Sequence, residues 1–230
     1  MGREDFILNI RLAESELHPP QVWTDSPRAS PADYAAILAS GDPWLTPKSV
    51  EDFNAADFPP QQGAALKQEV EGFVAVASQV DPAKPATKAQ VRAARPHLER
   101  IAAILGDLIK DEWLLAVKAL VDEAESWAQK QHWAVKRDSK TIREPLLGEY
   151  AAPRLLIHSP DGRLLLDPVK AFWTGRNGLV EFCVLPSYDS AKIFREGGGW
   201  RVYPLRPNGR AQAWSETTFL KAARQLLQGA

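Results

Sequence analysis

Short apolar runs and turn residues alternate along residues 149–214, which is the clearest structural pattern in the chain. The apolar runs are roughly four to eight residues long, as is typical of strands. Several breaks contain Asp-Gly or Asn-Gly pairs, which adopt the positive φ angles of tight hairpin turns. We therefore predict an antiparallel meander of about five strands over residues 149–214. Its turns fall at 160–162, 175–178, 186–190, 197–199 and 207–209.

Upstream of the meander, apolar residues recur at helical spacing over residues 63–131. The pattern predicts three helices. Thr87 and Gln90 have the spacing of a capping box, which indicates where the second helix begins. Gly106 is a candidate break between the second helix and the third. Together these helices form a predicted helical layer.

A final helix is predicted from Ser215, which can cap its first turn, to about Gln228. A meander has one apolar face that must be covered, and amphipathic helices are the natural cover. The sequence therefore predicts an α+β fold. In it, the sheet packs against the helical layer of residues 63–131 and the C-terminal helix.

The N-terminal part of the chain differs in composition from the helical and strand regions that follow it. Residues 6–12 have the composition of a strand, which we expect to pair with an edge of the sheet. A proline-rich segment then follows, and its spread of aromatic residues is unlike that of a disordered linker. We predict that residues 1–62 form a strand and an arm that packs on the body. Residues 63–230 are then expected to form one α+β domain.

Composition narrows the range of functions only a little. The formal net charge is −1, so no overall attraction to nucleic acid or to an anionic membrane is expected. Cys183 is the single cysteine, which excludes an intrachain disulfide and a cysteine-based zinc site. Its apolar neighbours favour a buried, inert thiol. No stretch approaches the roughly 18 apolar residues of a membrane span. We expect a cytoplasmic protein that does not enter the membrane.

One segment, residues 130–143, is locally basic. Clustered cations could bind phosphates, and a tryptophan among them could stack on a base. An alternative interpretation is that Lys130 and His132 complement the negative C-terminal end of the preceding helix and that Trp133 is core. The remainder is then a solvated connector. The candidate nucleic-acid residues are Lys130, Trp133, Lys136, Arg137, Lys140 and Arg143.

Two acids on the meander form a second candidate site. Asp167 and Glu181 fall on neighbouring predicted strands, where two carboxylates could hold Mg²⁺ for phosphoryl chemistry. A nuclease site of the restriction-endonuclease type would place a lysine two residues after an acid. Here the residue two beyond Glu181 is Cys183, so the spacing is wrong. The alternative is that Asp167-Pro168 marks an irregularity in its strand and that Glu181 faces water.

A third candidate is an interaction hot spot. The chain has eight tryptophans, and an exposed tryptophan beside an arginine is typical of protein-binding surfaces. The candidate partner-binding residues are Trp173, Arg176, Trp200 and Arg201.

No further catalytic motif is present. The four histidines lack metal-ligand spacing, and the glycines form neither a phosphate loop nor a nucleophile elbow. The pattern favours a non-catalytic protein-interaction module without cofactor or metal, acting as an accessory subunit of a cytoplasmic complex. The alternative function is a nucleic-acid-binding or metal-dependent nuclease-like component.

Overall fold

The computed structural model describes residues 3, 6, 7, 10, 50–80, 87–144, 147–173, 176–203 and 210–229. For residues 172, 173, 176 and 177 it describes the backbone alone. The chain divides into two compact units, residues 1–107 and 108–230. This division falls inside a helix, and the predicted domain boundary between residues 62 and 63 stays a prediction.

The first unit contains helix α1 (Pro60–Ala77) and the start of helix α2 (Lys88–Lys130). The predicted capping box begins α2, since Thr87 N–H donates to Gln90 Oε1 at 2.9 Å and Gln90 N–H donates to Thr87 Oγ1 at 3.3 Å. The predicted break at Gly106 is wrong, because Gly106 lies within α2, which is one continuous helix of 43 residues. One glycine costs a helix about 1 kcal/mol relative to alanine, which its neighbours readily offset.

The carboxylate of Glu69 on α1 forms hydrogen bonds with two residues of α2. Glu69 Oε1 accepts a hydrogen bond from Arg100 Nε at 2.8 Å, and Glu69 Oε2 lies 2.8 Å from His97 Nδ1. The imidazole packs closely on Gly72, where a Cβ would lie 2.3 Å from His97 Cε1. Gly72 therefore provides the space in which the ring reaches Glu69.

The strand predicted over residues 6–12 is wrong at the positions that are described, because Phe6, Ile7 and Ile10 are helical. Phe6 and Ile10 are both buried, and their four-residue separation suits one face of a helix. Phe6 packs on Phe53 and Phe58, with ring centroids 5.2 and 6.0 Å away. Residues 11–49, which include most of the predicted arm, lie outside the described residues.

The second unit contains a sheet of seven strands in sequential order, every neighbouring pair antiparallel. The predicted meander is confirmed, and the basic segment extends it at its start. The strands are β1 (Ala134–Glu144), β2 (Gly148–Ser159), β3 (Gly162–Trp173), β4 (Arg176–Leu185), β5 (Ser190–Glu196), β6 (Gly199–Tyr203) and β7 (Gln212–Ala213).

Two helices pack on this sheet, as the predicted α+β fold requires. The C-terminal part of α2 and helix α3 (Glu216–Gln228) bury apolar side chains against β2, β3 and β4. Ser215 caps α3, and its hydroxyl accepts from Thr218 N–H at 3.3 Å. Phe219 of α3 stacks on Phe182 of β4, with ring centroids 5.3 Å apart.

The β1–β2 hairpin changes which of its faces is buried. Tyr150 and Ala152 belong to the core near its tip, whereas Leu155 and Ile157 do so near its base. Successive residues of a strand point to opposite faces, so these pairs lie on different faces. Pairing between the strands is unbroken over its whole length. The hairpin therefore changes its buried side between Ala152 and Leu155 while its register stays unbroken.

Candidate functional site

The basic segment forms the edge of the sheet. Residues 134–144 are strand β1, and among the described strands β2 alone pairs with it. The interpretation of these residues as a solvated connector is therefore wrong. Six of the eleven residues of β1 are charged, so the apolar alternation that reveals a strand is missing.

Cations of this segment lie against acids. Arg137 donates from Nε to Glu125 Oε2 and from Nη1 to Asp122 Oδ1, both at 2.6 Å. Three further pairs are Lys130 with Glu216 at 2.9 Å, Lys140 with Asp167 at 2.7 Å, and Arg143 with Glu149 at 2.6 Å. Most of the predicted positive patch is thus neutralised locally, and nucleic-acid binding by these residues stays a prediction.

Two other members of the predicted patch differ from these cations. Lys136 is exposed and forms no direct ion pair with a described residue, although its charge acts on Asp138 of the same strand. Trp133 is half-buried against the core, with its ring centroid 6.3 Å from that of Phe219. This position matches the alternative interpretation of Trp133 as a core residue.

Asp167 and Glu181 lie directly opposite each other on β3 and β4. Lys140 Nζ donates to Asp167 Oδ2 at 2.7 Å, while Asp167 Oδ1 is buried and accepts no hydrogen bond from a described residue. Within the described part of the chain, no group of three or more possible metal ligands comes together. The two acids are therefore adjacent, as predicted, and metal binding by them stays a prediction.

Cys183 follows Glu181 on β4 and is buried, as predicted. Burial raises the pKa of its thiol to about 12, and the charges of Glu181 and Asp167 act in the same direction. A thiol with so high a pKa carries almost no thiolate at neutral pH, so it is a poor nucleophile.

The structure describes the side chains of only two predicted hot-spot residues, so partner binding by the four stays a prediction. Trp200 is half-buried, packs on the core, and lies 5.8 Å from Trp113 between ring centroids. Arg201 is exposed on β6. Trp173 and Arg176 close the β3–β4 ladder, and their side chains lie outside the description. Strand β5 separates β4, which carries Arg176, from β6, which carries Arg201, so these two strands lie roughly 10 Å apart.

One exposed aromatic residue lies in the predicted turn at residues 186–190. Tyr188 lies in the β4–β5 turn, 66% exposed, at a φ of 62°. Its amide donates to Val184 O at 2.8 Å, and Ser187 Oγ donates to Asp189 Oδ2 at 2.8 Å. Tyr188 also interacts electrostatically with Arg154, which pairs with Asp138 of β1. A positive φ is uncommon for a residue as bulky as tyrosine. This feature sets Tyr188 apart in the structure, but the sequence does not reveal it.

A buried carboxylate escaped the sequence analysis. Glu144, at the end of β1, is 8% exposed. Tyr150 donates its hydroxyl to Glu144 Oε1, and the Ala171 amide donates to the same oxygen at 2.8 Å. Burial and the neighbouring Glu144 raise the pKa of Tyr150. This network fastens the end of β1 to β3.

The described helices include none that is long and apolar enough to cross a membrane. Strand β1 is thus a long edge strand, and three of its four cations are paired with acids of its own unit. Compared with protein-family models, with curated proteins and with solved structures, the chain matches none.

Proposed function

We propose that the chain is a protein-interaction module, an accessory subunit that binds an extended segment of a partner along the outer edge of β1. The observation that carries the proposal is the edge itself. β1 has eleven residues in unbroken register with β2, and no described strand lies on its other side.

An edge strand presents backbone groups that lack partners in the sheet. In an antiparallel pair, consecutive residues direct their amides alternately toward and away from the neighbouring strand. Eleven residues extend roughly 37 Å at about 3.4 Å each. That length is enough for a partner segment to form a full ladder by strand addition.

The two edges of the sheet differ in how they are protected. β7 has two residues, and such a short edge offers little to pair with. β1 contains neither proline nor a bulge, and its protection is its charged side chains. Charged side chains on an edge strand prevent pairing with most other strands. A partner strand whose charges are opposite to those of the edge can still bind. β1 is therefore the edge that supports selective strand addition.

The same contacts favour a protein over a nucleic acid as the partner. Binding to a phosphate backbone depends on positive charge that displaces counterions. Arg137, Lys140 and Arg143 each have an acid within 2.7 Å. Protein strand addition, by contrast, relies on backbone hydrogen bonds and does not need these cations to be freed.

Proline scanning of the edge tests the proposal. Proline would be placed in turn at Ser139 and at Lys140, with Lys140→Ala as the control for the lost Lys140–Asp167 ion pair. Because neighbouring amides point in opposite directions, one proline removes an amide bonded to β2 and the other removes an outward amide. Circular dichroism and thermal unfolding identify the variant that keeps its fold.

The fold-retaining proline variant would be compared with the wild-type chain in affinity capture from the native host, with nucleic acid retained. We expect proteins captured by the wild type to be lost from that variant and kept by Lys140→Ala. Equal capture by all three chains would overturn strand addition at β1. Capture of nucleic acid in place of protein would favour the alternative function.

A further inference from the structure

We infer that the partner segment bound along β1 is acidic, with two carboxylates that face Lys136 and Arg143 from opposite sides of the added strand. This inference rests on the proposed function. Some charged side chains of β1 are paired within the unit, and others are exposed along its edge. The inference follows from this difference.

The two acidic side chains of β1, Asp138 and Glu144, already have hydrogen-bond partners within the second unit. Glu144 is 8% exposed and accepts hydrogen bonds from Tyr150 and the Ala171 amide. Asp138 is held by Arg154, whose Nη2 donates to Asp138 Oδ2 at 2.9 Å. Both carboxylates are therefore occupied within the unit, while β1 also carries four cations.

The four cations of β1 differ in how firmly they are held. Arg137 and Lys140 are partly buried, at 38% and 33% exposure, and their acid partners fix them in place. Arg143 is 82% exposed and its partner Glu149 is 55% exposed, which makes this a weak surface pair that exchanges readily. Lys136 is exposed and forms no direct ion pair with a described residue, although its charge acts on Asp138 nearby.

Lys136 and Arg143 are thus the cations with most freedom to meet a new partner. They are seven residues apart, so they lie roughly 24 Å from each other along the strand. An odd separation also places them on opposite faces of the sheet, because side chains alternate. A matching segment therefore needs acids about seven residues apart, one for each face.

A second copy of the chain fits this edge less well. Pairing β1 with another β1 brings the same excess of cations to both sides of the new ladder. Like charges placed opposite each other across strands are destabilising. The edge therefore favours a partner of opposite charge over itself.

Synthetic peptides test the inference on the full chain. Three fluorescent peptides of alternating Thr and Val would differ in two residues, seven positions apart, which are Glu, Gln or Lys. A single-stranded oligonucleotide of similar length is the fourth probe. Fluorescence anisotropy would be measured at low and at high salt, since the preference is electrostatic.

We expect the Glu peptide to bind up to about tenfold more tightly than the Gln peptide, as two cross-strand charge pairs allow. The Lys peptide should bind most weakly. High salt should reduce the preference, and so should the double variant Lys136→Gln/Arg143→Gln. Both positions are exposed, so this variant is expected to fold, and circular dichroism checks it.

Equal binding of the three peptides overturns the acidic inference and leaves strand addition standing. Binding of the oligonucleotide and of no peptide overturns the proposed function as well. Absence of binding by every probe overturns the acidic inference, and the proline comparison then decides the proposed function by itself.

Discussion

Gly178 lies directly against the indole ring of Trp113. A Cβ at position 178 would lie 2.4 Å from Trp113 Cζ3, and the glycine has a φ of 67°. Trp113 is buried at 2% exposure on α2, and Gly178 lies on β4. The contact therefore fixes the distance between the helix and the sheet in the second unit.

Gly178→Ala should destabilise this unit strongly. The added methyl group overpacks the Trp113 site, which costs about 1–3 kcal/mol. The left-handed backbone costs a further 1–2 kcal/mol or so for a residue with a Cβ. We expect a loss of roughly 2–5 kcal/mol in the free energy of unfolding, measured by urea denaturation.

Gly197→Ala is the matched control for this substitution. Gly197 has a φ of 57°, but a Cβ there would meet nothing within 4 Å. In Gly197→Ala, the free energy of unfolding should fall by about 1–2 kcal/mol, which is the cost of the left-handed backbone alone. Equal losses in the two variants would show that the contact with Trp113 carries no cost.

Lys140→Met should be more damaging than the same change at Arg143. Lys140 pairs with Asp167, which is 18% exposed and has one oxygen already without a described partner. Removing the lysine leaves a half-buried carboxylate unpaired, at a cost of about 1–3 kcal/mol. Arg143→Met breaks a surface pair and should cost less than about 0.5 kcal/mol.

Thermal and urea unfolding would measure both variants, together with Asp167→Asn and the double variant Lys140→Met/Asp167→Asn. Removing the charge of Asp167 should recover part of the loss caused by Lys140→Met. If the double variant is as unstable as the sum of its parts, the ion pair is not the source of the effect.

Cys183 should be inert to thiol reagents in the native protein. It is 2% exposed, and its pKa is raised to about 12. We expect alkylation by iodoacetamide at pH 8 to be slow until urea unfolds the chain. A cysteine introduced at the exposed Thr141 serves as a positive control, and rapid native reaction of Cys183 itself would contradict its burial.

The turns of the meander were predictable because they depend on local backbone chemistry. Gly197 and Gly198 provide the positive φ of the β5–β6 turn, whatever packs around them. Asn177-Gly178, predicted as part of a turn, lies instead within β4 at a register shift of the β4–β5 ladder. Strand β1 was not predictable in the same way. An edge strand has little buried surface, so its residues are charged and its alternation is lost.

The contacts of the candidate site depend on tertiary structure and could be predicted only in part. Asp167 and Glu181 were placed on neighbouring strands correctly, since adjacent strands of a meander pair. The partner of Lys140 is 27 positions away, and nothing local indicates that the two will meet. Neutralisation of the basic segment was therefore invisible in the sequence.

Glu69→Gln should weaken the first unit in a pH-dependent way. Burial raises the pKa of Glu69, but the hydrogen bonds from Arg100 and His97 outweigh burial and lower it. A carboxyl with a lowered pKa stabilises the fold above its unfolded value and loses this contribution as the pH falls through its folded value. Glu69 thus stabilises the unit above about pH 4.5 and ceases to do so under more acidic conditions.

The test is the free energy of unfolding between pH 7 and pH 3 for wild type and variant. At pH 7, Glu69→Gln should lose about 1.5–3 kcal/mol, because a charged acceptor of two donors is removed. The two curves should converge at acidic pH, since wild-type Glu69 is then neutral as well. Glu71→Gln is the control, because Glu71 and Lys67 are more than 60% exposed and 3.8 Å apart. A constant difference between wild type and Glu69→Gln at all pH values would show that the charge of Glu69 does not join α1 to α2.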